Sequence, residues 1–123
     1  MDKPLLVSVV DDDESVREAL PDLLKEFGFA VQAFSSAQAF LSSGYPSQTH
    51  CLILDVAMPG MSGPELQKEL ALRHFNIPII FITALGDAAR CAHLISQGAV
   101  DCLMKPFSEE ALLKALSAAL PVS

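Results

Sequence analysis

The hydrophobic pattern changes period repeatedly along the chain. Leu5 to Val10 is a largely apolar run, ended by Asp11, Asp12 and Asp13, and reads as a buried strand. From Asp13 or Glu14 the apolar positions Val16, Leu20, Leu23, Leu24 and Phe27 fall three or four apart and stop at Gly28. That spacing predicts an amphipathic helix with a glycine end signal. The alternation recurs as strand Ala30–Phe34 and helix Ala37–Ser42, then strand Cys51–Leu54 and helix Pro64–Arg73. Strand Ile77–Ile82 and helix Asp87–Gln97 follow, then strand Asp101–Met104 and helix Glu109–Leu120.

Several of these boundaries have local causes. Pro64 suits a first helical position, where its missing N–H costs nothing. Ser108 suits an N-cap, with Glu109 and Glu110 at the positive end of the helix that follows. Gly98 closes the fourth helix, and Gly60 and Gly63 read as turn glycines. Pro21 opposes the pattern: inside a helix proline costs about 3 kcal/mol, so the first helix is expected to bend or restart there. Strict alternation of strand and helix implies a parallel sheet covered on both faces. The common closed barrel needs about eight such units. Five are present, which leaves an open, doubly wound α/β sheet.

Ligands of open α/β sheets bind beyond the carboxyl ends of the strands. The polar residues gather at that edge: Asp11, Asp12 and Asp13 after the first strand, Asp55 after the third, Thr83 after the fourth and Lys105 after the fifth. In the doubly wound order 2-1-3-4-5, the first and third strands are neighbours, so Asp11, Asp12 and Asp55 converge. Close carboxylates repel unless a cation lies among them. Oxygen donors of this kind suit Mg²⁺, which binds through carboxylates, water and phosphate. Lys105 and Thr83 then offer a point charge and a hydroxyl donor to an anion beside that ion. A carboxylate nucleophile, a metal and a lysine together describe formation of an aspartyl phosphate.

Four tracts carry a resemblance to a known family. Val9-Val10-Asp11-Asp12-Asp13, then Asp55 with Met58-Pro59-Gly60-Met61-Ser62-Gly63, then Thr83-Ala84, then Lys105-Pro106-Phe107 resemble the receiver domain of two-component response regulators. The resemblance covers essentially the whole chain, and the strand order used above is taken from such flavodoxin-like proteins rather than from periodicity. Gly86-Asp87 and Gly98-Ala99-Val100-Asp101 further resemble receivers attached to helix-turn-helix transcription output domains. The resemblance implies that Asp55 accepts a phosphoryl group from a phosphohistidine on a sensor histidine kinase or phosphotransfer protein. It implies that Asp12 binds Mg²⁺ directly, Asp11 through water, with Asp55 and the backbone carbonyl of Ala57 completing the shell. Lys105 would pair with the phosphoryl oxygens, and Thr83 would hydrogen-bond one of them and move the following loop. A cis Lys105-Pro106 bond is also implied. The output face would be the fourth helix, fifth strand and fifth helix, including Ala88, Ala89, Cys91, Ala92, Leu94, Ile95 and Cys102. That face suits a homodimer or an output domain, although half of its residues are equally suited to the core.

Two positions depart from the family pattern. Cys102 stands where the family usually has an aromatic switch residue, and a thiol is too small to swing like a ring. Leu85, two residues after Thr83, would overhang the phosphoryl site and slow autodephosphorylation. Asp13 reads as a helix N-cap in preference to a metal ligand. His50, His74 and His93 are scattered and read as structural or surface residues. A rival reading, a phosphatase with an aspartate nucleophile, draws on Asp11-x-Asp13 with Thr83 and Lys105 but leaves Asp55 unexplained.

Composition narrows the partners. The chain has 123 residues, 51% of them hydrophobic, enough for one cored domain and too few for a second. It is read as a receiver over residues 1–123 without an output domain, and as a phosphoacceptor in preference to an enzyme. Eight basic residues against 15 acidic ones give a net charge of −7, which argues against direct nucleic-acid binding. No apolar run approaches the roughly 20 residues that span a bilayer, and a signal-peptide pattern is lacking, so the expectation is a cytoplasmic protein without membrane contact. Three cysteines, Cys51, Cys91 and Cys102, without C-x-x-C spacing, speak against a disulfide framework or zinc site. Each is expected to be a small buried hydrophobe in a reducing compartment.

Overall fold

The computed structural model describes residues 4–84 and 86–120. Its elements are β1 (Leu6–Val10), α1 (Glu14–Glu26), β2 (Ala30–Phe34), α2 (Ala37–Ser42), β3 (Cys51–Asp55), α3 (Gly63–Leu72), β4 (Ile79–Thr83), α4 (Ala88–Ser96), β5 (Asp101–Met104) and α5 (Glu109–Ala119). A 3₁₀ turn at Tyr45–Ser47, for which the hydrophobic pattern gives no sign, lies between α2 and β3. The sheet is parallel throughout, in the order β2-β1-β3-β4-β5. This is the expected doubly wound α/β fold.

Strand side chains alternate between two cores, as the period of a strand requires. Val7, Val9, Ile53, Ile80 and Ile82 join Leu20 and Leu24 of α1 and Leu112 and Leu116 of α5. Val10, Leu52, Leu54 and Phe81 join Phe40 of α2, Leu66 and Leu70 of α3 and Leu94 of α4. The central strands β3 and β4 are buried along their full length, so they read as continuous apolar runs.

Caps set the helix starts. The Asp13 carboxylate accepts from the Ser15 amide at 3.0 Å, the Ser36 hydroxyl from Ala39 at 3.1 Å and the Ser108 hydroxyl from Ala111 at 3.0 Å. Helix α3 starts one residue before the expected Pro64, at Gly63, because Ser62 and Glu65 close a reciprocal capping box. Helix α1 runs unbroken through Pro21, so the expected restart does not occur. Leu20 and Leu24, 4% and 0% exposed, anchor the chain on both sides of the proline in one core.

Cysteine chemistry differs from the expectation. Cys91 of α4 and Cys102 of β5 are joined by a disulfide, with Cα atoms 5.3 Å apart. Helix α4 packs back on β5, and this brings together two residues 11 apart that no local motif links. Only Cys51 is the buried free thiol that was expected of all three.

Candidate functional site

Parallel strands end side by side, and their last residues build the site. Because β1 and β3 are in register from Val7↔Cys51 to Val10↔Leu54, Asp11 and Asp55 follow as neighbours. Oxygens of Asp11, Asp12 and Asp55 all lie within 4.8 Å of one another. Asp11 is fully buried. Its Oδ1 accepts from the Asp13 amide at 2.9 Å, and its backbone carbonyl accepts from Arg17 Nη1 at 2.9 Å. Its Oδ2 accepts no hydrogen bond, and faces Lys105 Nζ at 3.0 Å as an ion pair. Asp12 is exposed at the rim.

The electrostatics follow from this crowding. Burial first, then the Asp11 carboxylate, raises Asp55 from its ordinary 3.8 to about 7, with Lys105 opposing. Burial would lower the Lys105 pKa, but its contacts with Asp11, Asp55 and Asp13 outweigh that and raise it, so it stays a cation. Asp13 is held low by its hydrogen bonds to Ser15, as befits its cap.

Across the sheet edge, Thr83 ends β4 and is 4% exposed. Its hydroxyl donates to Asp87 Oδ2 at 3.2 Å, and the same oxygen lies 3.5 Å from Arg90 Nε. The Lys105 amide donates to the Thr83 carbonyl at 2.8 Å, tying the ends of β4 and β5 together. The Lys105-Pro106 peptide is cis. Asp55, Val56, Ala57, Thr83, Lys105 and, beside them, Asp87 and Arg90 line a cavity of about 390 Å³.

The sequence model described as "Response regulator receiver domain" matches residues 7–117. This chain belongs to the response-regulator receiver family. The receiver is 45% identical over 122 residues to the response regulator protein TodT of Pseudomonas putida, covering 99% of this chain and 54% of that one. It is 43% identical over 120 residues to the transcriptional regulatory protein FixJ of Azorhizobium caulinodans, covering 98% and 57%. Among solved structures, the response regulator StyR superposes with a TM-score of 0.86 at 48% identity, covering 96% of the receiver and 60% of that chain. The structure "FixJ-N" superposes with a TM-score of 0.84 at 38% identity, covering 97% and 94%. The receiver thus spans about half the length of the curated relatives it matches.

Of the residues singled out from sequence, the receiver brings Asp11, Asp12, Asp55, Ala57, Thr83 and Lys105 to one edge. Cys102 lies away from them, in the disulfide. Leu85 lies outside the described residues. His50 is structural: its Nδ1 accepts the Leu6 amide at 2.9 Å. Of the residues expected on an output face, Cys91 and Leu94 are buried, while Ala88, Ala89, Ala92 and Ile95 are exposed.

Two contributors escaped the sequence reading, and a third was singled out for a different reason. Arg17 and Arg90 sit at ordinary helix-surface positions, and only folding turns them to the Asp11 carbonyl and the cavity. Gly63 is required for close approach rather than for its turn angles: a Cβ there would overlap the Asp55 carbonyl oxygen and press on the Phe81 ring. No helix among the described residues is long and apolar enough to cross a membrane.

Proposed function

We propose that this receiver is a phosphoacceptor switch in which Asp55 takes a phosphoryl group from a phosphohistidine on a histidine kinase or phosphotransfer partner. The observation that carries the reading is the cluster of Asp11, Asp12 and Asp55 oxygens within 4.8 Å of one another, closed by Lys105. Three carboxylates share this edge with one lysine, which pairs with Asp11 Oδ2 at 3.0 Å, and the negative charge left over is what a divalent cation would neutralise. The donor set is all oxygen, which fits Mg²⁺. Asp11, Asp12, Asp55 and the Ala57 carbonyl would hold it. Once bound, Mg²⁺ supplies positive charge against the acceptor carboxylate and the incoming phosphoryl oxygens.

The chain's own residues do the rest. Asp55 attacks phosphorus as a carboxylate; the phosphorus–nitrogen bond breaks and the leaving imidazole takes up a proton. Lys105, a retained cation, neutralises the transferred group. Thr83 has one hydroxyl proton, now given to Asp87, and redirecting it to the phosphoryl group releases the start of α4. The exposed residues of α4, with β5 and α5, are the face that a second copy or an output domain would read. The rest of the reading is a cytoplasmic, non-membrane signalling module, with its 123 residues as one domain and transcriptional output left to a part other than this acidic receiver. The phosphatase alternative loses its second acid, because Asp13 is committed to Ser15 as the cap of α1.

Acetyl phosphate with Mg²⁺ should add one phosphoryl group per chain, detected by intact mass, and none to Asp55→Asn. Labelling that persists in Asp55→Asn, or sustained turnover of a small phosphate ester, would overturn the reading.

A further inference from the structure

Cys91 and Cys102 bridge the two elements that carry the far side of the site. Asp87, the residue just before helix α4, holds the Thr83 hydroxyl, and α4 includes Arg90 on the cavity wall; Cys91 is the next residue. Strand β5 contains Cys102, paired in register with Phe81, and leads directly to Lys105. The backbone sets the two Cα atoms 5.3 Å apart, within the usual range for a disulfide. The bridge therefore fastens the start of α4 to the strand that delivers the lysine.

We propose that Cys91 and Cys102 are a reversible redox modification site, taking a low-molecular-weight disulfide such as glutathione disulfide as oxidant, and that the bridge restrains the phosphoacceptor response. The inference rests on reading Asp55 as the phosphoacceptor. For Thr83 to donate to an anion in the cavity it must leave Asp87, and this unties the first turn of α4 from the end of β4. The bridge pins that turn to β5; opening it frees the turn.

The chemistry balances by exchange. Cys102, half-buried where Cys91 is 8% exposed, is the attacking thiol: as thiolate it displaces one small thiol from the oxidant and forms a mixed disulfide. The Cys91 thiolate then attacks the Cys102 sulfur, the mixed disulfide breaks, and the second small thiol leaves. Two protein thiols are oxidised, one small disulfide is reduced to two thiols, and the protein's protons end on the leaving thiolates. Cys51 does not compete: it is fully buried in β3, and burial raises its thiol to about 12. In reducing compartments, disulfides of this kind are transient and redox-sensing.

The test compares the full chain after equilibration in glutathione disulfide and in dithiothreitol. Alkylation after denaturation should count one free thiol in the oxidised form, Cys51, and three in the reduced form. Beryllofluoride with Mg²⁺, titrated into each, should bind the oxidised form at least about fivefold more weakly, with dithiothreitol restoring affinity. Cys91→Ser and Cys102→Ser should bind at the reduced value in both buffers. The second variant, at the half-buried end, keeps the comparison readable if the first fails to fold. Three alkylatable thiols in glutathione disulfide, or equal affinity in both forms, would overturn the inference while leaving the phosphoacceptor reading intact. Reduced wild-type protein that takes neither acetyl phosphate label nor beryllofluoride would overturn both.

Discussion

At Asp55 burial and a neighbouring carboxylate act in the same direction, and the acid is pushed up to about 7 from 3.8. An acid whose folded pKa lies above its unfolded one binds more protons in the folded state between the two values. Stability in a chelating buffer should therefore fall as pH rises from about 4 to about 7 and level off above. Asp55→Asn removes the titrating group and should flatten that profile and raise stability at pH 8. Urea midpoints across the range check this; an unchanged slope in the variant would show that another group is responsible. The identities of Asp11, Asp12, Asp55, Thr83 and Lys105 could be read from the chain because each ends an apolar strand or lies within two residues after one. Arg17 and Arg90 could not, because a charged residue on a helix surface has the same local pattern whether it faces solvent or the site.

At the level of elements, β2, α2 and β5 match their expected bounds residue for residue, since turns and caps flank them closely. Strand β4 begins at Ile79, not Ile77, because the ladder to β3 opens with Leu52 donating to Pro78 at 2.9 Å. The join between β3 and α3 depends on Ser62, Gly63 and Glu65. Ser62→Ala should cost about 1 kcal/mol by loss of the capping box. Gly63→Ala should cost more, about 1–3 kcal/mol, because its Cβ meets the backbone of Asp55 and Val56, which cannot swing aside. Chemical denaturation of both variants tests the order, and Gly63→Ala should also slow acetyl phosphate labelling by displacing Asp55.

For the whole molecule, a cation that binds only the folded site should stabilise it through linkage. Mg²⁺ at about a hundred times its dissociation constant should raise unfolding stability by about 2.7 kcal/mol, and chelation should remove that gain. Asp12→Ala, at an exposed position, should fold normally and lose most of the effect, as calorimetric scans with Mg²⁺ and with chelator would reveal. Alternating periods of apolar residues settle the five strands, the five helices and their parallel arrangement, because burial of one helix face and of whole strands leaves a mark in every short window of the chain. The residues at strand ends follow from the same marks. Pairings between distant residues leave none. Folding alone decided that Pro21 could remain inside α1, where buried leucines hold both flanks, and that Gly63 must lack a side chain beneath Asp55. It also decided that Cys91 and Cys102 meet, since their contact depends on how α4 lies on β5 and not on the spacing between them.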